Sequence, residues 1–365
     1  MVQILAVRGR LPDHKYTQQE ITAGFGGLIV TAPGLDRGLL ERFHANAGVS
    51  SRHLALPLER YAELDDFGES NDVFIEQAVD LGSEAVTAAL DAAGLRPDDV
   101  DLIVSTTITG LAVPSLEARI HPRVGLRPDV KRLPIVGLGC VAGAAGIARL
   151  HDYLVGHRDH VAVLVSVELC SLTVQRGDTS VANLVASGLF GDGAAAVVAV
   201  GDEHPAAGGE HPAAGGAGQE TRPVVLASRS RMYAGTERAM GWDVGATGLR
   251  IVLGAEVPEL VERYVREDVD GFLADHDLKR DDIEWWVAHP GGPKVLEAMQ
   301  MALDVDQEAL SVTWDSLDRI GNLSSASVLH VLADTLSLRP PRPGSYGLTL
   351  AMGPGFCLEL VLMRA

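Results

Sequence analysis

The sequence predicts an α/β protein assembled from two similar halves. Three observations carry that expectation. Short apolar strand patterns alternate with helical ones on both sides of a Gly/Ala/Pro tract. In each half a strand runs into a small-residue turn bearing a polar side chain, and a helix follows. The composition, 47% hydrophobic and 22% charged over 365 residues, suits a chain with a large buried interior.

The elements follow in order. MVQILAVRGR is too short in its apolar run for a signal peptide. Val73 to Ala93 has helical spacing and stops at Gly94. Asp101 to Thr107 reads as a buried strand, Leu133 to Leu138 as another, and Val141 to Val155 as a helix. Val161 to Val167 and Ala194 to Val200 are apolar strands. Residues 203 to 216 then repeat EHPAAGG twice. With flanks from about 201 to 222, this tract has no apolar periodicity and predicts a mobile surface loop that buries nothing. His204 and His211 within it read as solvated rather than metal-binding. The loop divides the chain into halves 1–222 and 223–365. Beyond it, Val257 to Ala274, Val295 to Leu303 and Ser324 to Leu336 are helical, and Ile283 to Ala288 is a strand. Tyr346 to Met352 and Phe356 to Met363 are closing strands.

Charge narrows the function. Thirty Lys and Arg against 49 Asp and Glu give −19, which argues against a general nucleic-acid binder and against polybasic membrane attachment. No apolar run approaches the ~18 residues of a membrane span. Three cysteines without a CxxC pair predict reduced thiols, no zinc site and a cytoplasmic protein. Glycine is in excess, 40 residues or roughly 11% against a usual ~7%.

Part of that excess surrounds candidate chemistry. In LPIVGLGCVAGAAG a buried strand meets Gly137 and Gly139, then Cys140 at the start of a small-residue helix. Free N–H groups there favour a thiolate nucleophile; a small buried core cysteine is the other reading. In WWVAHPGGPKVL a strand delivers His289 to a Pro-Gly turn, as a general base or hydrogen-bond donor, or as a turn cap. In GNLSSASVL, Asn322 is either a turn residue or an amide aimed at an oxyanion. Cys, His and Asn together suit acyl transfer from a thioester, which needs neither acid nor metal.

These motifs resemble, in order and over nearly the whole chain, the type III polyketide synthases, the chalcone synthase-like branch of the thiolase superfamily. GCVAGAAG resembles the nucleophile motif, LFGDGAAAVV the gatekeeper segment, HPGGPKVL and GNLSSASVL the other catalytic motifs, and MGPGF the closing loop. The resemblance implies a five-layer αβαβα thiolase fold in a homodimer, with coenzyme A thioesters as substrates and no bound cofactor. Cys140 would be acylated from coenzyme A, with His289 holding it as an ion pair. His289 and Asn322 would promote decarboxylation of malonyl-CoA. Phe190 would gate the cavity; without the family it reads as a core aromatic. Val113 would reach across the dimer into the partner's cavity. Cys170, Thr173, Trp242, Gly248 and Ile251 would shape the pocket, and Gly353, Pro354 and Gly355 would close it. Arg42 and Arg52 would contact coenzyme A, Arg37 would be solvated, and Cys357 would be core. The Cys170 and Trp242 pattern favours an aliphatic acyl-CoA starter and an alkylpyrone or alkylresorcinol product. The alternatives are a malonyl-CoA-only tetrahydroxynaphthalene synthase, a single-condensation β-ketoacyl-carrier-protein synthase III, and an inactive thiolase-fold binding subunit.

Overall fold

The computed structural model describes residues 1–30, 37–208 and 221–365. In chain order its elements are β1 (Val2–Arg10), β2 (His14–Thr17), α1 (Gln18–Ile29), α2 (Arg37–Ala45), β3 (Ser51–Leu54), α3 (Phe67–Ala93), β4 (Leu102–Thr107), α4 (Leu116–Val124), β5 (Lys131–Val136), α5 (Ala142–Gly156), β6 (Val161–Leu169), α6 (Val181–Leu189) and β7 (Asp192–Gly201). They continue as β8 (Val224–Met232), β9 (Met240–Gly245), β10 (Gly248–Leu253), α7 (Val257–Ala274), β11 (Ile283–Ala288), α8 (Pro293–Leu303), α9 (Ser311–Ile320), α10 (Ser327–Leu338), β12 (Tyr346–Gly353) and β13 (Cys357–Arg364).

The strands form two half-sheets of matching design. In the first, β4 runs parallel to β6, β6 antiparallel to β7, and β7 antiparallel to β1. In the second, β11 runs parallel to β12, β12 antiparallel to β13, and β13 antiparallel to β8. The first carries one further strand, β5, at its edge beside β4. A short antiparallel seam, Val2 with Val225 and Gln3 with Val224, joins the halves.

The apolar runs explain the layering. On β7, Ala194, Ala196, Val198 and Val200 enter one core, while Ala195, Val197 and Ala199 enter another. Both faces of the strand are therefore buried, which is why it reads as a continuous rather than an alternating apolar run. The first core lies beneath α3 and α4. The second encloses α5 and α10 between the half-sheets, and a third packs α7 and α8 on the outer face of the second half-sheet. The result is the five-layer α/β arrangement expected.

Several expectations change. The N-terminal apolar run is a strand inside the sheet. Strand β5, expected to be buried, is exposed along most of its length, with Leu133 41% and Val136 54% accessible and only Ile135 partly buried. The first part of the repeat tract is not loose: Gly201 ends β7, Ala206 and Ala207 pack against the first core, and Gly208 N–H donates to Gln3 Oε1 at 2.8 Å. The second repeat and His211 lie outside the described residues.

Small residues in GCVAGAAG set how closely α5 and α10 approach. A Cβ on Gly143 would lie 2.3 Å from the Ser325 carbonyl oxygen. Gly143→Ala is expected to cost about 1–3 kcal/mol through overpacking. Gly156→Ala, at the open end of α5 where nothing lies within 4 Å, should stay within about 0.5 kcal/mol. Urea unfolding of both variants checks this, and equal midpoints would remove the close-packing argument.

Candidate active site

A cavity of about 380 Å³ opens between the halves, lined by Cys140, Phe190, His289 and Asn322 among others. The first half contributes Cys140 and Phe190, and the second His289 and Asn322.

Cys140 sits in the 3-10 turn Gly139–Val141 that leads from β5 into α5. Gly139 has φ +59°, and a Cβ on it would meet the Pro354 ring at 2.7 Å. The turn requires glycine on both counts, and the Gly353-Pro354-Gly355 loop leans directly on it. The residue is half-buried and its thiol is enclosed. Sγ donates to Ser324 Oγ at 3.7 Å.

His289 follows the last residue of β11 and is buried. Its N–H bonds the Leu350 carbonyl of β12 at 2.9 Å, which extends the parallel ladder by one step and fixes the ring's origin. Among the described residues Nδ1 is buried without a partner, so Nε2 is the nitrogen available to the cavity.

Asn322 is buried in the turn after α9. Its N–H donates to the Leu189 carbonyl, and its own carbonyl accepts from Gly191 N–H, each at 3.0 Å. These bonds bridge Asn322 to Phe190. Its Oδ1 accepts from the Ser324 N–H at 2.8 Å. A backbone N–H only donates, so this contact assigns the amide oxygen. The NH₂ group is left to donate into the cavity.

The remaining expected positions divide. Trp242 and Ile251 face each other across the β9–β10 hairpin and line the cavity, as does Pro354. Cys170 and Thr173 are buried behind it and line a small void that also touches Phe190, Trp242 and Ile251. Gly248, with φ +102°, turns the hairpin. Gly353 is buried against the Cys140 turn, and Gly355 follows Pro354 at φ +116°. Cys357 is buried. Val113 is 94% exposed and lies outside the lining of this chain's own cavity. Arg37 is exposed and pairs with Glu41. Arg42 is exposed on α2, beside Phe43 of the cavity wall. Arg52 is a correction: it is fully buried and bonds the Phe190 carbonyl and Gln18 Oε1, so it is out of reach of a coenzyme A phosphate.

Sequence reading missed Ser324, two residues after Asn322, and Lys294, which is exposed at the first turn of α8 and lines the cavity. The HPGGPK string carried the second signal, because a lysine at a helix N-terminus suits a phosphate. It also missed Glu168, a buried carboxyl that accepts from Thr109 Oγ1 at 3.0 Å and from the Ile108 N–H at 3.1 Å.

Burial pushes the Cys140 thiol up to about 12, with the nearby Glu168 carboxyl adding to the rise, and the Ser324 hydrogen bond opposes it. Burial also lowers the His289 imidazole to about 3. Each group alone resists charge. In this geometry the thiol bonds Ser324. Passing the thiol proton to the imidazole makes both charges at once, so their attraction offsets the lost hydration.

Comparison with known proteins fits this geometry. Residues 41–207 match the family model described as FAE1/Type III polyketide synthase-like protein, and 224–365 match Chalcone and stilbene synthases, C-terminal domain. The chain is 53% identical to 1,3,6,8-tetrahydroxynaphthalene synthase of Streptomyces peucetius subsp. caesius, over 99% of this chain and 92% of the relative. The chain belongs to the type III polyketide synthases. It is also 31% identical to phloroglucinol synthase of Pseudomonas fluorescens, over 96% of this chain and 95% of that one. The crystal structure of 1,3,6,8-tetrahydroxynaphthalene synthase from Streptomyces coelicolor A3(2) superposes with a TM-score of 0.89 at 29% identity, covering 99% of both chains. A type III polyketide synthase is an acyltransferase working by Claisen-type condensation of malonyl-CoA. Among the described residues no helix is long and apolar enough to cross a membrane.

If His289 takes the thiol proton, removing the imidazole strands it on sulfur. Iodoacetamide alkylation of Cys140 at neutral pH is expected to fall about tenfold or more in His289→Ala, one pKa unit being a factor of ten, and to recover only at higher pH. Superimposable pH profiles for wild type and variant would rule out the transfer.

Proposed function

We propose that this type III polyketide synthase builds a tetrahydroxynaphthalene from malonyl-CoA alone, with Cys140 as nucleophile and His289 and Asn322 as its partners. The observation carrying the substrate choice is the 53% identity, over almost the whole chain, to a tetrahydroxynaphthalene synthase. That kinship outweighs the pocket pattern at Cys170 and Trp242 that favours an aliphatic starter.

Loading begins when the Cys140 proton passes to His289 and the thiolate attacks the thioester carbonyl. Coenzyme A leaves as its thiol, taking a proton from solvent, and the Nε2–H stays on the ring. A second malonyl-CoA then loses its carboxylate as CO₂. The electron pair passes onto the thioester carbonyl oxygen, where the His289 Nε2–H and the Asn322 NH₂ stabilise the enolate. The enolate carbon attacks the acyl thioester on Cys140, a carbon–carbon bond forms, and the thiolate is released. Phe190 narrows the entrance, and Lys294 with the α8 N-terminus and Arg42 offer positive charge for coenzyme A phosphates.

The protein is proposed to act as a homodimer. Strand β5 presents an unpaired edge, and Val113, Leu111, Leu133 and Val136 are exposed apolar side chains (94%, 44%, 41% and 54%). A partner chain pairing there would cover them and bring Val113 toward the neighbouring cavity. A cytoplasmic location accords with the three free thiols.

Purified enzyme given malonyl-CoA alone is expected to yield a naphthalene product by mass spectrometry, unchanged on adding hexanoyl-CoA. A strict need for the acyl-CoA would overturn the substrate choice, and Cys140→Ala retaining elongation would overturn the nucleophile. Val136→Asp is expected to shift the sedimenting species to monomer; an unaltered dimer would place the interface elsewhere.

A further inference from the structure

Three consecutive carbonyls at the end of α6 are taken by three distant parts of the chain. Gly188 accepts from Gln18 Nε2 at 2.7 Å, Leu189 from the Asn322 N–H at 3.0 Å, and Phe190 from Arg52 Nη1. The last carbonyls of a helix have no partner within it, and a cation there is favoured by the helix dipole. Here the cation is wholly buried, an uncommon placement for arginine.

Arg52 and Gln18 act together. Arg52 Nη2 donates to Gln18 Oε1 at 2.9 Å, and Gln18 Nε2 also reaches the His44 carbonyl at 3.0 Å. The arginine stem runs beneath Gly321, the residue before Asn322, where a Cβ would meet Arg52 Cδ at 2.9 Å. One side chain thus touches the strip that carries Phe190 and the turn that carries Asn322.

A simple buried ion pair does not account for this. Asp192 is the neighbouring acid whose field favours the charged guanidinium, yet its carboxylate oxygens accept from Ala55 N–H at 2.6 Å, Ser171 N–H at 2.8 Å and the Ser171 hydroxyl. The guanidinium hydrogen bonds go to a carbonyl and an amide, and Nε has no partner among the described residues. The group spends its donors on geometry.

We infer that Arg52, with Gln18, is a positioning residue for the condensation, holding the Phe190 carbonyl so that Asn322 keeps its register across the Cys140 cavity. The inference rests on the reading that Asn322 stabilises the enolate.

Lysine at position 52 retains the charge but cannot span both acceptors. Full-length Arg52→Lys and Gln18→Ala are compared with wild type by thermal melting, Cys140 alkylation, and kcat and KM for malonyl-CoA decarboxylation. In whichever variant melts cooperatively near the wild-type temperature, alkylation and KM should stay within about twofold while kcat falls about tenfold or more, as small misplacements of a donor do. An unchanged kcat in a folded variant overturns the inference. So does a fall of alkylation and kcat in step, or failure of both variants to fold, since each marks a purely structural role. Asn322→Ala is run alongside. Its decarboxylating at the wild-type rate would sink the Asn322 assignment itself, a result recognisable whatever Arg52→Lys does.

Discussion

The site depends on two backbone hydrogen bonds. Asn322 N–H to the Leu189 carbonyl, and Gly191 N–H to the Asn322 carbonyl, join a turn of the second half to the end of a helix in the first. Each is an ordinary amide bond, worth about 1 kcal/mol net. Their position gives them weight, because Cys140 and Phe190 belong to one half and His289 and Asn322 to the other. Without such crossings the four residues would be two unrelated pairs. The small residues of α5 serve the same end, since they let α10, and with it the turn bearing Ser324, come within contact of the nucleophile.

The electrostatics follow from enclosure. Both titratable members of the site sit where an isolated charge is poorly solvated, which raises the Cys140 thiol and lowers the His289 imidazole. The −19 charge of the chain does not forbid an anionic substrate, because a lysine and a helix N-terminus at one rim suffice for its phosphates.

Much of this was legible in the sequence. Helix α7 and strand β11 match their expected bounds, because long periodic or flanked apolar runs carry their own signal. The Cys140, His289 and Asn322 turns were marked by glycine and proline at positions needing unusual backbone. Helix α1 was missed: its QQEITAGFGGLI carries three glycines, and propensity argues for a loop. Packing wins there, with Phe25 and Ile29 buried and Gly26 set against Leu40. Strand β1 was missed because its nine residues end in Arg8, Gly9 and Arg10 and show no clean alternation, although its neighbours β7 and β8 make it central. Arg52 was misplaced for a different reason. A charged residue is expected at the surface, and nothing within reach along the chain discloses Gln18, 34 positions earlier, or Phe190, 138 positions later, as its acceptors.

The Pro354 ring against Gly139 has a consequence for the order in which the enzyme comes into being. The turn that presents Cys140 is held from one side by a loop more than two hundred positions later, between β12 and β13. A nascent chain leaving the ribosome N-terminus first therefore carries Cys140 long before anything can shape the surface around it. Until the hairpin of β12 and β13 docks, the Pro354 ring cannot brace the turn, so the wall around Cys140 is completed late in folding.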